Sequence, residues 1–229
     1  MNSDPINPYA PPQTDPRPTV PSSDRLEPVL GGVAWPLTFH FKILTFAPKV
    51  IVRDATGREV MHVRQRLFKF REHVELFTDS TRATKLGEIR ADRVIDWSAR
   101  YAFTDAAGEA IGSVGRKGWR SLWRAHYDVF NPGDAVPDFV VSEENPFAKV
   151  MDGIFGQIPF LGLITLWLFH PSYAATSATA GTPSMRLTKL PAFLEGRFRL
   201  DLLVDLPVRQ QMNLILSFFM LSLLERRRG

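Results

Sequence analysis

Residues 101–117 read Tyr-Ala-Phe-Thr-Asp-Ala-Ala-Gly-Glu-Ala-Ile-Gly-Ser-Val-Gly-Arg-Lys, and they decide the fold. An extended run, Tyr101–Asp105, leads into a short polar turn closed by Gly108, and a second run, Ala110–Lys117, carries basic residues. Asp opens such a turn by hydrogen-bonding to its own backbone, and Gly takes the left-handed conformation. The stretch therefore predicts a β-hairpin.

The same pattern occurs three times, and an aromatic-rich run follows each copy. The first copy is Val50–Asp54, Gly57, Glu59–Arg66 and Phe68–Phe77; the second is Tyr101–Asp105, Gly108, Ala110–Lys117 and Trp119–Phe130; the third is Tyr173–Ser177, Gly181, Ser184–Lys189 and Phe193–Leu203. Thr84–Trp97 predicts a further pair of strands between the first two copies. Repeated antiparallel meanders must close or stack to hide their edges, so we expect a mainly β barrel.

Composition limits the classes of function. The chain has 229 residues, is 45% hydrophobic and carries a net charge of +4. Residues 1–30 hold two Arg against four Asp or Glu, a net −2, so the rest carries about +6, which suits anionic lipid, nucleic acid or ordinary solubility. The absence of Cys excludes disulfides, thiolate metal sites and S-palmitoylation. No secretory signal is recognisable, so we expect a cytoplasmic protein, with peripheral attachment to the inner face of the membrane as a further option.

The N-terminal segment has a different composition from the rest. Residues 1–26 contain seven Pro among Ser, Asp and Asn, with few apolar side chains. Such a segment buries too little surface to offset its ordering entropy. Residues 1–30 are therefore predicted to be a disordered tail, with recruitment of a protein partner through the prolines as the functional interpretation.

The repeat spacing reveals an insertion. Gly57 and Gly108 are 51 positions apart, whereas Gly108 and Gly181 are 73 apart, and the surplus of 22 lies at about 134–170. A plausible helix start at Asn145 is followed by 17 uncharged residues, Gly153–Phe169, which is near the lower limit for crossing a bilayer. Packing against the barrel, interfacial insertion and a true span remain open, and the membrane-contact candidates are Phe160, Leu161, Leu163 and Trp167.

The second apolar stretch, Met212–Leu224, is apolar on every side of a helix. A helix of that kind must be enclosed by protein or lipid, and at about 1.5 Å per residue it is too short to cross the hydrocarbon layer. Pro207 suits its first turn. We therefore predict a helix at about 207–225 that is threaded through the barrel.

Three meanders with glycine-closed turns, two of them Asp-x-x-Gly, and a final hydrophobic helix resemble the tubby C-terminal-like superfamily, in particular its LURP-one-related and phospholipid scramblase branch. The resemblance covers about residues 35–229 and implies a closed barrel of about twelve strands around a central helix, with the domain placed at 31–229. It also implies binding of anionic lipid headgroups on the barrel exterior. Scramblase relatives carry an acidic Ca²⁺-binding segment and a palmitoylated Cys cluster; here Asp201 and Asp205 stand alone and Cys is absent, so Ca²⁺-triggered scrambling is not expected.

Basic residues cluster after the second hairpin. Arg116, Lys117, Arg120 and Arg124 alternate with Trp119 and Trp123, and they are the headgroup-binding candidates. Each charge near an anionic surface contributes on the order of 1 kcal/mol. The alternative is that they form salt bridges with Glu72, Glu75 or Asp128. Aromatic and basic residues together also suit single-stranded nucleic acid, but strict alternation sends both Trp inward, so we predict no nucleic-acid partner.

No pattern for catalysis, a metal or a cofactor is recognisable. The five His show no ligand spacing, and the glycines at 108, 112, 115 and 118 precede a strand, whereas a phosphate loop precedes a helix. The sequence thus predicts a non-catalytic, lipid- or membrane-associated barrel without a cofactor. The alternative is a soluble scaffold or ligand-binding protein whose Pro-rich tail recruits a partner.

Overall fold

The structure is a computed structural model, and it describes residues 22–42, 49–64, 73–91, 100–116, 126–144, 172–191 and 196–225. These residues form two helices and twelve strands. In chain order they are α1 Ser22–Leu30, β1 Leu37–Lys42, β2 Lys49–Arg53, β3 Glu59–Arg64, β4 His73–Phe77, β5 Lys85–Ala91, β6 Arg100–Asp105, β7 Ala110–Arg116, β8 His126–Phe130, β9 Phe139–Glu143, β10 Ser172–Ser177, β11 Pro183–Leu190, β12 Gly196–Leu202 and α2 Val208–Glu225.

The strands form one closed antiparallel barrel in which each strand pairs with the next along the chain. Strand β1 also pairs with β12, with Leu37 opposite Leu200, and this pairing closes the sheet. Closure removes the free edges that an open meander would expose to other chains. The predicted closed barrel is confirmed.

The three hairpin turns have the predicted chemistry. Gly57, Gly108 and Gly181 have φ of 90°, 85° and 67°, where a side chain would strain the backbone. Asp54 is 5% exposed, and its Oδ1 accepts hydrogen bonds from the Thr56 N–H at 3.0 Å and from the Thr56 hydroxyl at 2.6 Å. Hydrogen bonds, first among them the one from the Thr56 side chain, lower the pKa of Asp54 against the opposing effect of burial.

Helix α2 lies inside the barrel, as predicted. Leu216, Phe218 and Phe219 are fully buried, and Phe219 stacks on Phe41 of β1 with ring centroids 6.5 Å apart. Inward-facing residues of the strands, such as Phe103, belong to the same core. The enclosure is by protein, which satisfies the apolar surface on all sides of the helix.

Helix α1 corrects the predicted extent of the N-terminal tail. Residues 22–30, assigned to the disordered segment, form a helix whose Leu26 and Leu30 are 1% and 5% exposed in the core. These two leucines lie four positions apart and therefore share one helix face. The high proline content of the segment obscured this short apolar pattern. Residues 1–21 lie outside the described part of the chain.

Strand β9 corrects the predicted insertion at 134–170. The repeat spacing places Phe139–Glu143 in the insertion, but this segment is a strand that pairs with β8 and β10. Phe139 and Val141 are buried while Val140 and Ser142 are half-buried, the alternation of a barrel strand. The predicted helical and apolar segment from residue 145 onward lies outside the described residues, as do most of the predicted Trp119–Phe130 run and the second strand of Thr84–Trp97.

Candidate functional site

The two ends of the barrel differ in charge. At the turn end the chain makes short turns after β2, β4, β6 and β10, and the strand termini there include two basic residues, Arg53 and Lys85, and two acidic ones, Glu59 and Asp105. The opposite end, which we call the basic end, is formed by the strand termini Lys42, Lys49, Arg64, His73, Ala91, Arg100, Arg116, His126, Glu143, Ser172, Leu190 and Gly196. Five of these are Lys or Arg and one is acidic, so positive charge accumulates at one end.

A row of basic positions crosses three neighbouring strands at the basic end. Lys42 of β1 lies opposite Lys49 of β2, and Lys49 lies opposite Arg64 of β3. Lys42 is exposed and Lys49 is half-buried, and within the described residues neither forms an ion pair. Like charges directly opposite each other destabilise a sheet, and no ion pair of Lys42 or Lys49 within the described residues offsets that cost.

The positive surface continues across the pairing that closes the barrel. Arg197 of β12 is exposed and lies opposite His40 of β1 on the outer face, and Lys189 of β11 is exposed near the same end. Two other arginines on β11 and β12 are neutralised by carboxylates. Arg199 binds Asp201 at 2.8 Å, and Arg186 binds both oxygens of Glu144 at 2.8 and 2.9 Å, which raises the pKa of Arg186.

The predicted headgroup residues attach to the same end of the barrel. Arg116 is the final residue of β7, and its backbone lies opposite Tyr127 of β8. Lys117, Arg120 and Arg124 lie outside the described residues, between the end of β7 and the start of β8. Of the suggested acidic partners, Glu75 lies 3.7 Å from Lys85, and Asp128 lies 3.6 Å from His126.

The predicted membrane-contact residues belong to the connection between β9 and β10. Phe160, Leu161, Leu163 and Trp167 lie outside the described residues. The connection leaves the barrel after Glu143 and returns at Ser172, and both positions are at the basic end. The topology thus attaches the two sequence-predicted segments to one end of the barrel, by strands β7 to β10.

The sequence pattern does not predict Lys42, Lys49 or Arg197 as site residues. They come from separate stretches, and only the strand register and the closure of β1 with β12 bring them onto one surface. The one local signal was the pair of lysines that flanks the connection between β1 and β2.

The turn end carries different chemistry. An open cleft of about 330 Å³ lies between the β8–β9 connection, the β10–β11 turn and the start of α2. Its polar lining includes Asp138, Ser177, Thr179, Thr182, Ser184 and Gln210. This lining has one carboxylate and no cation, so the cleft does not suit an anion.

The described residues contain neither a metal-binding cluster nor a membrane-crossing helix. No three His, Asp or Glu side chains in the described ranges are placed to hold a metal ion together. Neither helix of the described residues has the length and hydropathy that a bilayer crossing requires.

Comparisons with known proteins do not assign the chain to a family. No protein-family profile matches the chain, and no curated protein matches it. A solved structure from Arabidopsis thaliana is similar over 83% of this chain and 94% of its own, with 14% sequence identity and a TM-score of 0.45. The described residues define a closed twelve-stranded barrel with an enclosed helix and one basic end.

Proposed function

We propose that this protein is a non-catalytic, lipid- or membrane-associated module that binds anionic headgroups at the basic end of its barrel. The observation that carries the proposal is the row formed by Lys42, Lys49 and Arg64 across three strands. Holding like charges side by side costs stability unless an anion neutralises them. An anionic headgroup supplies that counter-charge.

The order of the chain supports the same orientation. Arg116 ends β7 and is followed in the sequence by Lys117, Arg120 and Arg124, and the apolar residues Phe160, Leu161, Leu163 and Trp167 fall in the sequence between β9 and β10. A surface that combines basic and apolar groups suits the interface of an anionic membrane, where charge attracts and apolar side chains insert. With this end toward the lipid, the turn end faces away, and the protein acts peripherally at the cytoplasmic face.

Membership of the tubby C-terminal-like superfamily, in its LURP-one-related and scramblase-like branch, is part of the proposal. Its support is the sequence pattern of three meanders with glycine-closed turns, two of them Asp-x-x-Gly, together with a barrel that closes around a C-terminal helix. Scrambling activity is not proposed, because Asp201 and Asp205 do not form an acidic cluster; Asp201 is bound by Arg199.

Co-sedimentation with vesicles of phosphatidylcholine, with and without phosphatidylserine, tests the proposal. We expect binding to the anionic vesicles at low salt and weaker binding as ionic strength rises, since screening shortens to about 8 Å at physiological salt. Lys42→Gln and Arg197→Gln should each weaken the affinity roughly fivefold, the equivalent of about 1 kcal/mol per charge. Arg82→Gln, which removes one exposed charge at the turn end, is the matched control and should leave binding unchanged.

A wash series separates the two modes of attachment. High salt releases a protein held by charge alone, whereas inserted Phe160 and Trp167 require detergent. If the wild-type protein stays in the supernatant with anionic vesicles at low salt, the proposal is wrong. The soluble scaffold that recruits a partner through its Pro-rich tail then becomes the better account.

A further inference from the structure

Helix α1 fills a groove across the turn end of the barrel. Leu26 and Leu30 point from one face of the helix into the core, where they join residues of α2 such as Met212. Val29 packs against the same core and remains half-buried. The floor of the groove is therefore apolar, and it is formed by the enclosed helix together with the barrel wall.

One wall of the groove is a fixed carboxylate pair. Arg25 Nε lies 2.6 Å from Oδ2 of Asp105, and Arg25 Nη2 also donates to Glu109. The other oxygen of Asp105 accepts hydrogen bonds from the backbone N–H groups of Ala107 at 2.9 Å and of Glu109 at 2.8 Å. Because the turn itself orients Asp105, this acceptor stays in place whether or not α1 occupies the groove.

The helix in the groove has little stability of its own. It has nine residues, and Pro28 within it has no N–H to donate. Isolated helices of this length are marginal in water, so docking holds α1 in its helical form. The helix is followed at once by Gly31 and by Gly32 at φ 70°, which end the helix.

We propose that this groove is a helix-binding site, that α1 is its internal occupant, and that a short amphipathic helix from a partner protein displaces it. The recognised pattern is a basic residue followed directly by an apolar residue, with a second apolar residue four positions later, as in Arg25, Leu26 and Leu30. The basic residue binds Asp105 and Glu109, and the two apolar residues fill the floor. This site lies at the opposite end from the proposed lipid surface and does not depend on it.

A fluorescein-labelled peptide of residues 20–34 is the probe, and its anisotropy is measured on addition of the full chain. In the Leu26→Asp chain the internal helix no longer docks, because a charge replaces its most buried side chain. We expect this chain to bind the peptide at least roughly tenfold more tightly than the wild type, whose groove is occupied. Val136→Asp, at an exposed site of the turn end, should bind the peptide as the wild type does.

Charge reversal tests the recognition of the basic residue. A peptide with Arg25→Glu should bind the Leu26→Asp chain roughly tenfold more weakly than the wild-type peptide. Adding Glu109→Lys to that chain should reduce the difference in affinity between the Arg25→Glu peptide and the wild-type peptide. Equal binding of both peptides, or no gain in affinity from Leu26→Asp, overturns the proposal. Loss of the cooperative thermal transition in Leu26→Asp also overturns it, since α1 would then be an integral part of the fold.

Discussion

Asn213 of helix α2 lies against Gly112 of strand β7, where a Cβ atom at position 112 would come within 2.3 Å of the Asn213 amide group. Asn213 is 1% exposed, and its Nδ2 donates to the carbonyl of Phe130 on β8 at 3.0 Å. The polar side chain thus fixes the helix against two strands of an otherwise apolar interior. Only Gly at position 112 leaves room for this contact.

Gly112→Ala should lower the free energy of unfolding by about 1–3 kcal/mol, because the added methyl group overpacks a rigid contact. Urea denaturation measures the change. Gly115→Ala on the same strand is the control, since its Cβ would meet Phe130 and Arg100 at ordinary distances of 3.8 and 4.0 Å.

Asn213→Ala should cost about 1 kcal/mol on its own through the lost hydrogen bond to Phe130. Combined with Gly112→Ala, it should cost less than the sum of the two single changes, because the clash is then removed. Additive costs would show that the two residues do not contact each other as described.

The enclosure of α2 can be tested with a buried charge. Leu216→Asp places a carboxylate at a fully buried position, where an unpaired ion costs several kcal/mol against a total stability of about 5–15 kcal/mol. We expect no cooperative thermal transition by circular dichroism. Val136→Asp, at a side chain that is 72% exposed, should melt like the wild type. A wild-type transition in Leu216→Asp would contradict the central position of the helix.

Residues 1–21 and residues 22–30 should contribute differently to the stability of the protein. Deleting residues 1–21 should leave the melting temperature unchanged, because that stretch is rich in Pro and lacks an apolar face. Deleting residues 1–30 should lower the melting temperature, because Leu26 and Leu30 each contribute about 1.5–3 kcal/mol when buried. Differential scanning fluorimetry of the two truncations decides the matter, and equal melting temperatures would exclude a docked α1.

Glu88 on β5 makes the stability of the protein depend on pH in the acid range. Burial raises its pKa, but hydrogen bonds from His73, Lys85 and Arg90 and the charge of Lys85 outweigh it and hold the pKa at about 2, against the usual 4.5. Arg90 Nε lies 2.6 Å and His73 Nε2 lies 2.8 Å from the carboxylate. Because the folded pKa is lowered, the stabilisation is complete above pH 4.5 and is lost as the pH falls toward 2.

Glu88→Gln should therefore cost about 1–2 kcal/mol at pH 7 after allowance for the solvent-exposed partners. The difference in free energy of unfolding between the wild type and the variant should decrease as the pH falls below 4.5. Urea midpoints at pH 7, 4.5 and 3 measure it. A difference that is constant over this range would show that the carboxylate is not preferentially stabilised in the fold.

Local chemistry made most of the fold predictable, and long-range pairing made the site hard to predict. Gly57, Gly108 and Gly181 marked three hairpins because the turn type requires a left-handed residue at one position. Helix α2 was recognisable because its apolar residues cover all sides. By contrast, Lys42 and Arg197 lie on neighbouring strands only because β1 pairs with β12, and no local sequence pattern predicts that pairing. Strand β9 was harder to predict because five further residues separate it from the turn at Gly133, so the strand does not follow its turn directly.

Closure of β1 with β12 also determines when the molecule can finish folding. Leu37 can pair with Leu200 only after the chain between them has been synthesised. At about 5–20 residues per second, a ribosome needs roughly 8–30 s to synthesise that part of the chain. During that time the outer edge of β1 offers unpaired backbone groups to any neighbouring nascent chain. The exposed charge of Lys42 lies on this temporary edge, and lysine on an edge strand discourages pairing with another copy. The same charge that we assign to headgroup binding in the finished barrel thus protects the unfinished one from aggregation.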